Sequence, residues 1–422
     1  MSQNRTNIVE RIAAFCLVIV LVQAVFPPIR AYLNSYILTL GCIAVVVVLS
    51  LAANNRFAVF VDAPMVVSGL TLVYISTVSL FSGNTTLFNR YFNLIVLIAG
   101  FSIFRLMWGF KDERAKRVAV IALLSFASVT FVRTAFALLT DPYIARSIKS
   151  DGEYSRSVLA SGVGGYEYVY FAALLGIVLF AMMLELRSTR SRIAAGGGFA
   201  ACLFLVALSN YVTALLVVIL GVATSLVANA KRARFGGGAI VVVFLATALL
   251  VFSQLGDSLL YALSDLTGSG RLSDILLKGG GLSTSLVEEF AVDRWPVMEQ
   301  SIVCFLDNPI IGLVGLTPTL GPQAVVGLAG QHSFFLDSFA YFGIVGGILL
   351  MLSVLIPFFK MVRMGMPLRL LLPVALGTVV LLTFNNATDG IGIVAFFLLP
   401  YFAETLSSKK RPRTIVGGDP HE

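Results

Sequence analysis

From residue 11 onward the chain alternates apolar stretches of about 20 residues, the length a helix needs to cross a bilayer, with short polar or basic breaks. Backbone N–H and C=O groups find no water in hydrocarbon, so each stretch has to satisfy its own by forming an α-helix. About twelve stretches meet that length, beginning near positions 11, 32, 59, 87, 118, 166, 193, 211, 236, 334, 367 and 390. The expected fold class is an all-α polytopic membrane protein. Composition agrees: 58% of residues are hydrophobic, 12% are charged and mean hydropathy is +0.92, outside the range of soluble domains. The stretches 193–209 and 211–230 are separated by little more than "SNY" and read equally as two spans or a re-entrant hairpin.

Lys and Arg collect in cytoplasmic loops. Placing both termini inside leaves all but nine of the 30 basic residues on the cytoplasmic side, most of them in "KDERAKR" (111–117), "RSTRSR" (187–192), "KRARF" (231–235), Lys360, Arg363 and the tail "KKRPR". The net charge of +8 then reflects topology and contact with anionic lipid. It does not indicate nucleic-acid binding, for which no basic domain interleaved with aromatics is present. The first apolar stretch passes into "FPPIR" without a small-residue cleavage site and reads as a retained helix. Cys16, Cys42 and Cys202 fall within spans and Cys304 stands alone on the outer side, so neither a disulfide pair nor a zinc ligand set is expected.

Polar sequence is concentrated in two outward segments. The organisation that follows is a bundle of about nine helices over 1–253 with a shorter outward loop at 140–165, and a large outward loop at 254–333. The C-terminal transmembrane helices occupy 334–406 and a basic cytoplasmic tail 407–422. Within the large loop, "SLVE" (285–288) has the form of a capping box. A second helix is expected with Asp293 as N-cap and Pro296 in its first turn. Val297, Ile302, Phe305 and Leu306 recur at helical spacing, which predicts an amphipathic helix lying on the membrane or packed beneath the loop. "DNPIIG" (307–312) is its stop.

The pieces "RWPVMEQSIVCFLDNPIIG" (294–312) and "QHSFFLDSFAYFGIVGG" (331–347) together resemble the C-terminal signature of the bacterial O-antigen ligase and polysaccharide polymerase family. That pattern is an Arg opening a helix, a Pro-x-x-Gly, then His-Asn-x-x-Leu and an aromatic-Gly-x-x-Gly entering a membrane helix. Here the matching residues are Arg294, Pro309, Gly312, His332, Leu336, Gly343 and Gly346. Ser333 replaces the Asn, and the family's Ser-Arg at the end of a mid-chain helix is met by "LSNYVTA", with Tyr211 near the expected Arg.

The resemblance implies a metal-independent glycosyltransferase without cofactors, in the bacterial inner membrane, using undecaprenyl-pyrophosphate-linked glycan at the periplasmic face. A polymerase joins repeat units; a ligase transfers the finished glycan to lipid A core. The implied partners are the lipid-linked glycan and the bilayer, with room for a chain-length regulator or other polysaccharide assembly proteins.

Such a transfer needs a base for the acceptor hydroxyl and cations for the departing pyrophosphate. His332 is the only outward histidine, since His421 lies in the tail, and a helix N-terminus disfavours imidazolium. The bland alternative is a histidine at the headgroup boundary or one capping a helix. Arg294 is the expected phosphate ligand, because guanidinium offers a bidentate fork; its alternative is an ion pair with Glu288, Glu289 or Asp293. Arg90 and Arg133, at membrane depth, and Arg156 in the shorter loop are further candidates for pyrophosphate or glycan. Snorkelling accounts equally for Arg90, and a solvated loop charge for Arg156. On a continuous helix Asp337 sits about 140° around from His332 and is not expected to orient it. Scattered outward acids offer no metal site.

A lipid-oligosaccharide flippase would explain the span count and buried arginines. It also predicts inverted repeats or broken helices in matching halves, which the sequence does not display, and leaves the large loop without a use. Outward acids outnumber outward cations, which favours a polymerase over a ligase taking a phosphorylated acceptor.

Overall fold

The computed structural model describes the chain within residues 11–52, 63–95, 113–229 and 295–385, apart from isolated positions that include Arg90. Every helix or strand assigned among these residues is a helix. The principal ones are α1 (Ser35–Ala52), α2 (Ala63–Ser82), α3 (Glu113–Thr140), α4 (Gly152–Ala160), α5 (Tyr166–Glu185), α6 (Thr189–Leu208), α7 (Val212–Ala228), α8 (Trp295–Asp307), α9 (Pro322–Leu328), α10 (Phe334–Arg363) and α11 (Leu368–Phe384). Five of them are long and apolar enough to cross a membrane: α2, the Val120–Thr140 part of α3, α5, α6 and α10. The fold among the described residues is that of a helical membrane protein. The spans expected near 236 and 390 lie outside the described residues, as does the capping box at 285–288.

Three local results refine the sequence expectations. The ambiguous pair forms two helices, α6, 20 residues long, and α7, 17 residues long, which touch each other and both pack along α5; of the two, α6 has the length and apolarity of a membrane span, and α7 is a shorter apolar helix. The basic run "ERAKR" is the first turn of α3 and extends that helix beyond its apolar part. The amphipathic helix expected after Asp293 forms as α8, with Pro296 in its first turn and its end at Asp307. Its buried residues are Met298 and Ser301, whereas Leu306 is 66% exposed.

The bundle is centred on α5, which lies between α6, α7 and α11. Small residues set these distances: a Cβ on Gly221 of α7 would overlap Ile177, and one on Gly377 of α11 would meet Leu174, Ile177 and Val217. Close backbone approach is how helices gain contact where lipid removes the hydrophobic drive between them. A second layer pairs α2 with α10, where Thr71 and Ser353 hydroxyls lie 2.9 Å apart. At one end of the bundle Arg369 pairs with Glu185, near Lys360 and Arg363 in the last turn of α10. At the other end lie the start of α5, the start of α7, the end of α11 and His332.

Candidate functional site

The helix α10 begins after His332. Ser333 is its N-cap, with its Oγ accepting the Leu336 N–H at 3.3 Å, the role a short hydroxyl performs at a helix start. His332 therefore sits outside the helix, and its side chain is exposed. The 140° separation from Asp337 that a continuous helix would impose does not hold. Asp337 is fully buried: its Oδ2 accepts the Ser333 N–H at 3.3 Å and its Oδ1 accepts the Ser301 hydroxyl of α8 at 2.7 Å. The same Ser301 Oγ accepts the Gly330 N–H at 3.0 Å. One buried carboxylate thus holds the backbone on both sides of His332, and its charge lies in the first turn of a helix, where the dipole favours it.

The packing of α8 on this segment leaves no slack. A Cβ on Gly330 would overlap the Val297 carbonyl, so the residues three past Arg294 and two before His332 touch backbone to backbone. Further along, Phe305 and Phe339 rings are 5.6 Å apart. At the end of α8 the two signature pieces interlock. Gly343 breaks α10, with φ 65 and ψ −166, and Gly312 has φ 75, both in the region open to glycine. A Cβ on Gly343 would overlap the Ile310 carbonyl, and one on Gly312 would collide with Tyr341 and Gly343 backbone. The Ile344 N–H, deprived of its helical acceptor by the break, donates to the Pro309 carbonyl at 2.8 Å. The Phe342 carbonyl accepts the Tyr74 hydroxyl of α2 at 3.0 Å.

A tyrosine cluster adjoins the His332 segment. The Phe334 N–H donates to the Asn385 carbonyl at 3.2 Å, and Tyr170 donates its hydroxyl to Asn385 Oδ1 at 2.8 Å. Tyr211, at the position where the resembled family carries Arg, has its ring 6.0 Å from Tyr170 and 6.4 Å from Tyr166. Tyr91 contacts Phe334 and Phe342, with centroids at 6.1 and 4.8 Å. Ser301, Tyr170 and Asn385 are structural members of the site that sequence reasoning passed over, and Asp337, considered there only as an orienter of His332, is a fourth. A lone carboxylate at the start of a long apolar run was the available signal for Asp337.

The remaining candidates separate. Arg294 and Arg90 lie outside the described residues, as does Asp389. Arg133 donates from Nη1 to the Ser161 carbonyl, and a Cβ on Gly162 would meet its side chain at 2.7 Å. Its neighbour Thr134 accepts the Gly164 N–H at 2.8 Å. The structure thus engages Arg133 with the 161–165 connection. Arg156 is exposed on α4, a short helix packed on the Pro27–Tyr32 helix. Cys304 donates to the Leu328 carbonyl at 3.4 Å, and burial together with the Asp307 charge pushes its thiol above the ordinary cysteine range. Among the described residues, no three His, Cys, Asp or Glu side chains gather as a metal site would require. No protein-family model matches the chain, and no curated protein matches it significantly.

Proposed function

We propose that the chain is a glycosyltransferase that polymerises undecaprenyl-pyrophosphate-linked repeat units at the periplasmic face of a bacterial inner membrane, without a metal ion. The observation that carries this reading is the interlocking of Pro309–Gly312 with the break at Gly343, which makes one structural unit of the two sequence pieces on which the family resemblance rests. His332 is the base. Its ring nitrogen takes the proton of the acceptor hydroxyl as that oxygen bonds to the anomeric carbon, and the bond from that carbon to the pyrophosphate oxygen breaks with its electron pair. Arg294 holds the negative charge that develops on the leaving pyrophosphate. Arg90, Arg133 and Arg156 are the candidates for further contacts to phosphate or glycan, with one Arg133 donor already committed to Ser161.

Purified protein in detergent, supplied with an undecaprenyl-pyrophosphate glycan in EDTA, tests this directly. A ladder of products indicates a polymerase; transfer to lipid A core alone reassigns the chain as a ligase. His332→Ala is expected to slow transfer by about 10²-fold or more, the usual worth of a positioned base, and Arg294→Ala to abolish tight donor use. Full activity in the histidine variant removes the base assignment. If wild type turns over no such donor, the flippase reading takes its place.

A further inference from the structure

We propose that the segment from Trp295 to Leu328 is a re-entrant hairpin whose tip is anchored in the acyl chains of the bilayer by Leu306, Ile310 and Ile311. This inference goes beyond the transfer reaction and does not depend on it. The contacts above run in register. Val297 lies at Gly330, Ser301 at Asp337, Phe305 at Phe339 and Pro309 at Ile344, so α8 runs alongside the first turns of α10 in the same direction. The chain then turns at Pro309–Gly312 and comes back. Tyr341 donates its hydroxyl to the Val326 carbonyl at 3.0 Å, and Leu328 has returned to Cys304.

The level of the tip is fixed by α2. Tyr74 bonds to Phe342 at the break that receives the tip. Leu80 and Phe81, six and seven residues further along α2, are 82% and 85% exposed. At 1.5 Å per residue they stand ~10 Å beyond Tyr74 toward the His332 end. Large apolar side chains so exposed on a spanning helix face lipid, so lipid extends well past the level of the tip. At that level Leu306, Ile310 and Ile311 are exposed and continue the exposed apolar face of α10 at Ile344, Val345 and Ile348. Irregular backbone at membrane depth has to be satisfied by protein; at the turn the Pro309 carbonyl accepts the Ile344 N–H, the Asn308 carbonyl accepts the Gly312 N–H at 2.9 Å and the Cys304 carbonyl accepts the Asn308 N–H at 3.2 Å.

Along α8 the exposed side chains change character with depth. Glu299, Val303 and Leu306 fall within about 60° of one another around the axis and pass from charged to apolar toward the tip. Gln300 and Asp307, exposed on the adjoining flank, form the polar border of this stripe. Gly330 is level with Val297, ~18 Å from Pro309 along α8. His332 therefore stands at the headgroup level while the helix beneath it is anchored in hydrocarbon.

The test uses the full chain in phosphatidylcholine vesicles with Ile310→Trp and, in parallel, Glu299→Trp; wild type, with its two tryptophans, supplies the baseline emission. Lipid brominated at mid-chain is expected to remove the greater part of the emission added by Ile310→Trp, while aqueous acrylamide leaves it intact. Glu299→Trp is expected to show the reverse. Acrylamide quenching of Ile310→Trp as strong as that of Glu299→Trp overturns the proposal. Resistance of Ile310→Trp to both quenchers overturns it too, because protein would then cover the tip. Ile311→Trp repeats the measurement one residue on, so the outcome does not rest on the folding of a single variant.

Discussion

Two connections at the same end of the bundle are held in opposite ways. The 161–165 connection is fastened by a cation, Arg133, which donates to the Ser161 carbonyl. The 330–333 connection is fastened by an anion, Asp337, with Ser301. In the first, the basic side chain is part of the scaffold; in the second, the scaffold is acidic and buried, and the basic side chain, His332, is left exposed. A charge at the edge of the membrane is thus no guide by itself to ligand binding. What the neighbouring backbone uses for hydrogen bonding decides which side chain, basic or acidic, serves as the fastener.

The sharpest way to break this comparison is through the glycines. Gly330→Ala sets a Cβ against the Val297 backbone, which cannot move without shifting α8. Loss of about 3 kcal/mol or more is expected, as for comparable overpacking, read as a large fall in the detergent melting temperature together with loss of transfer. Next comes Asp337→Ala, which strands the Ser301 hydroxyl and the Ser333 N–H. About 2–3 kcal/mol is expected from these unsatisfied groups, and Asp337→Asn should recover part of it.

Gly162→Ala is the counterpart of Gly330→Ala and should be milder. Its φ of 88 is strained for alanine, but the nearest atoms belong to the Arg133 side chain, which can swing away. About 1–2 kcal/mol is expected from the left-handed conformation alone. If Gly162→Ala proves as damaging as Gly330→Ala, the two connections are equally rigid and the contrast fails. Arg133→Ala removes the donor to the Ser161 carbonyl and should lower the melting temperature by the equivalent of about 1 kcal/mol, the usual worth of one hydrogen bond, with KM for the lipid-linked donor unchanged. A raised KM with unchanged melting temperature would make Arg133 a ligand and not a fastener, and the contrast would fail.

Much of the fold follows from patterns that are local in the chain. Apolar length predicts α2, α5, α6 and α10; Pro296 marks the start of α8, "DNPIIG" marks its end, and Ser333 is legible as an N-cap. The site is harder because its determinants join residues far apart in sequence. The break at Gly343 is invisible in an apolar run that continues on both sides of it from Phe339 to Leu352, since the turn that stabilises it comes from Pro309. The angle assigned between Asp337 and His332 came from a wheel that included His332, although the helix starts two residues later; the role of Asp337 in holding Ser333 and Ser301 joins residues that no wheel brings together. The expected apolar face of α8 contained Leu306, yet the buried positions are Met298 and Ser301, because a polar contact to Asp337 and not hydrophobicity alone chooses the inner face.

The seat for the Pro309–Gly312 turn is synthesised after the turn itself. Gly343 leaves the ribosome about thirty residues later than Gly312, and chains are made from the N-terminus. Through that interval the Pro309 carbonyl has no Ile344 to receive, and the turn has to wait without its lock. The hairpin is therefore completed only after α10 has been made, when α10 and the hydroxyl of Tyr74 come together around it.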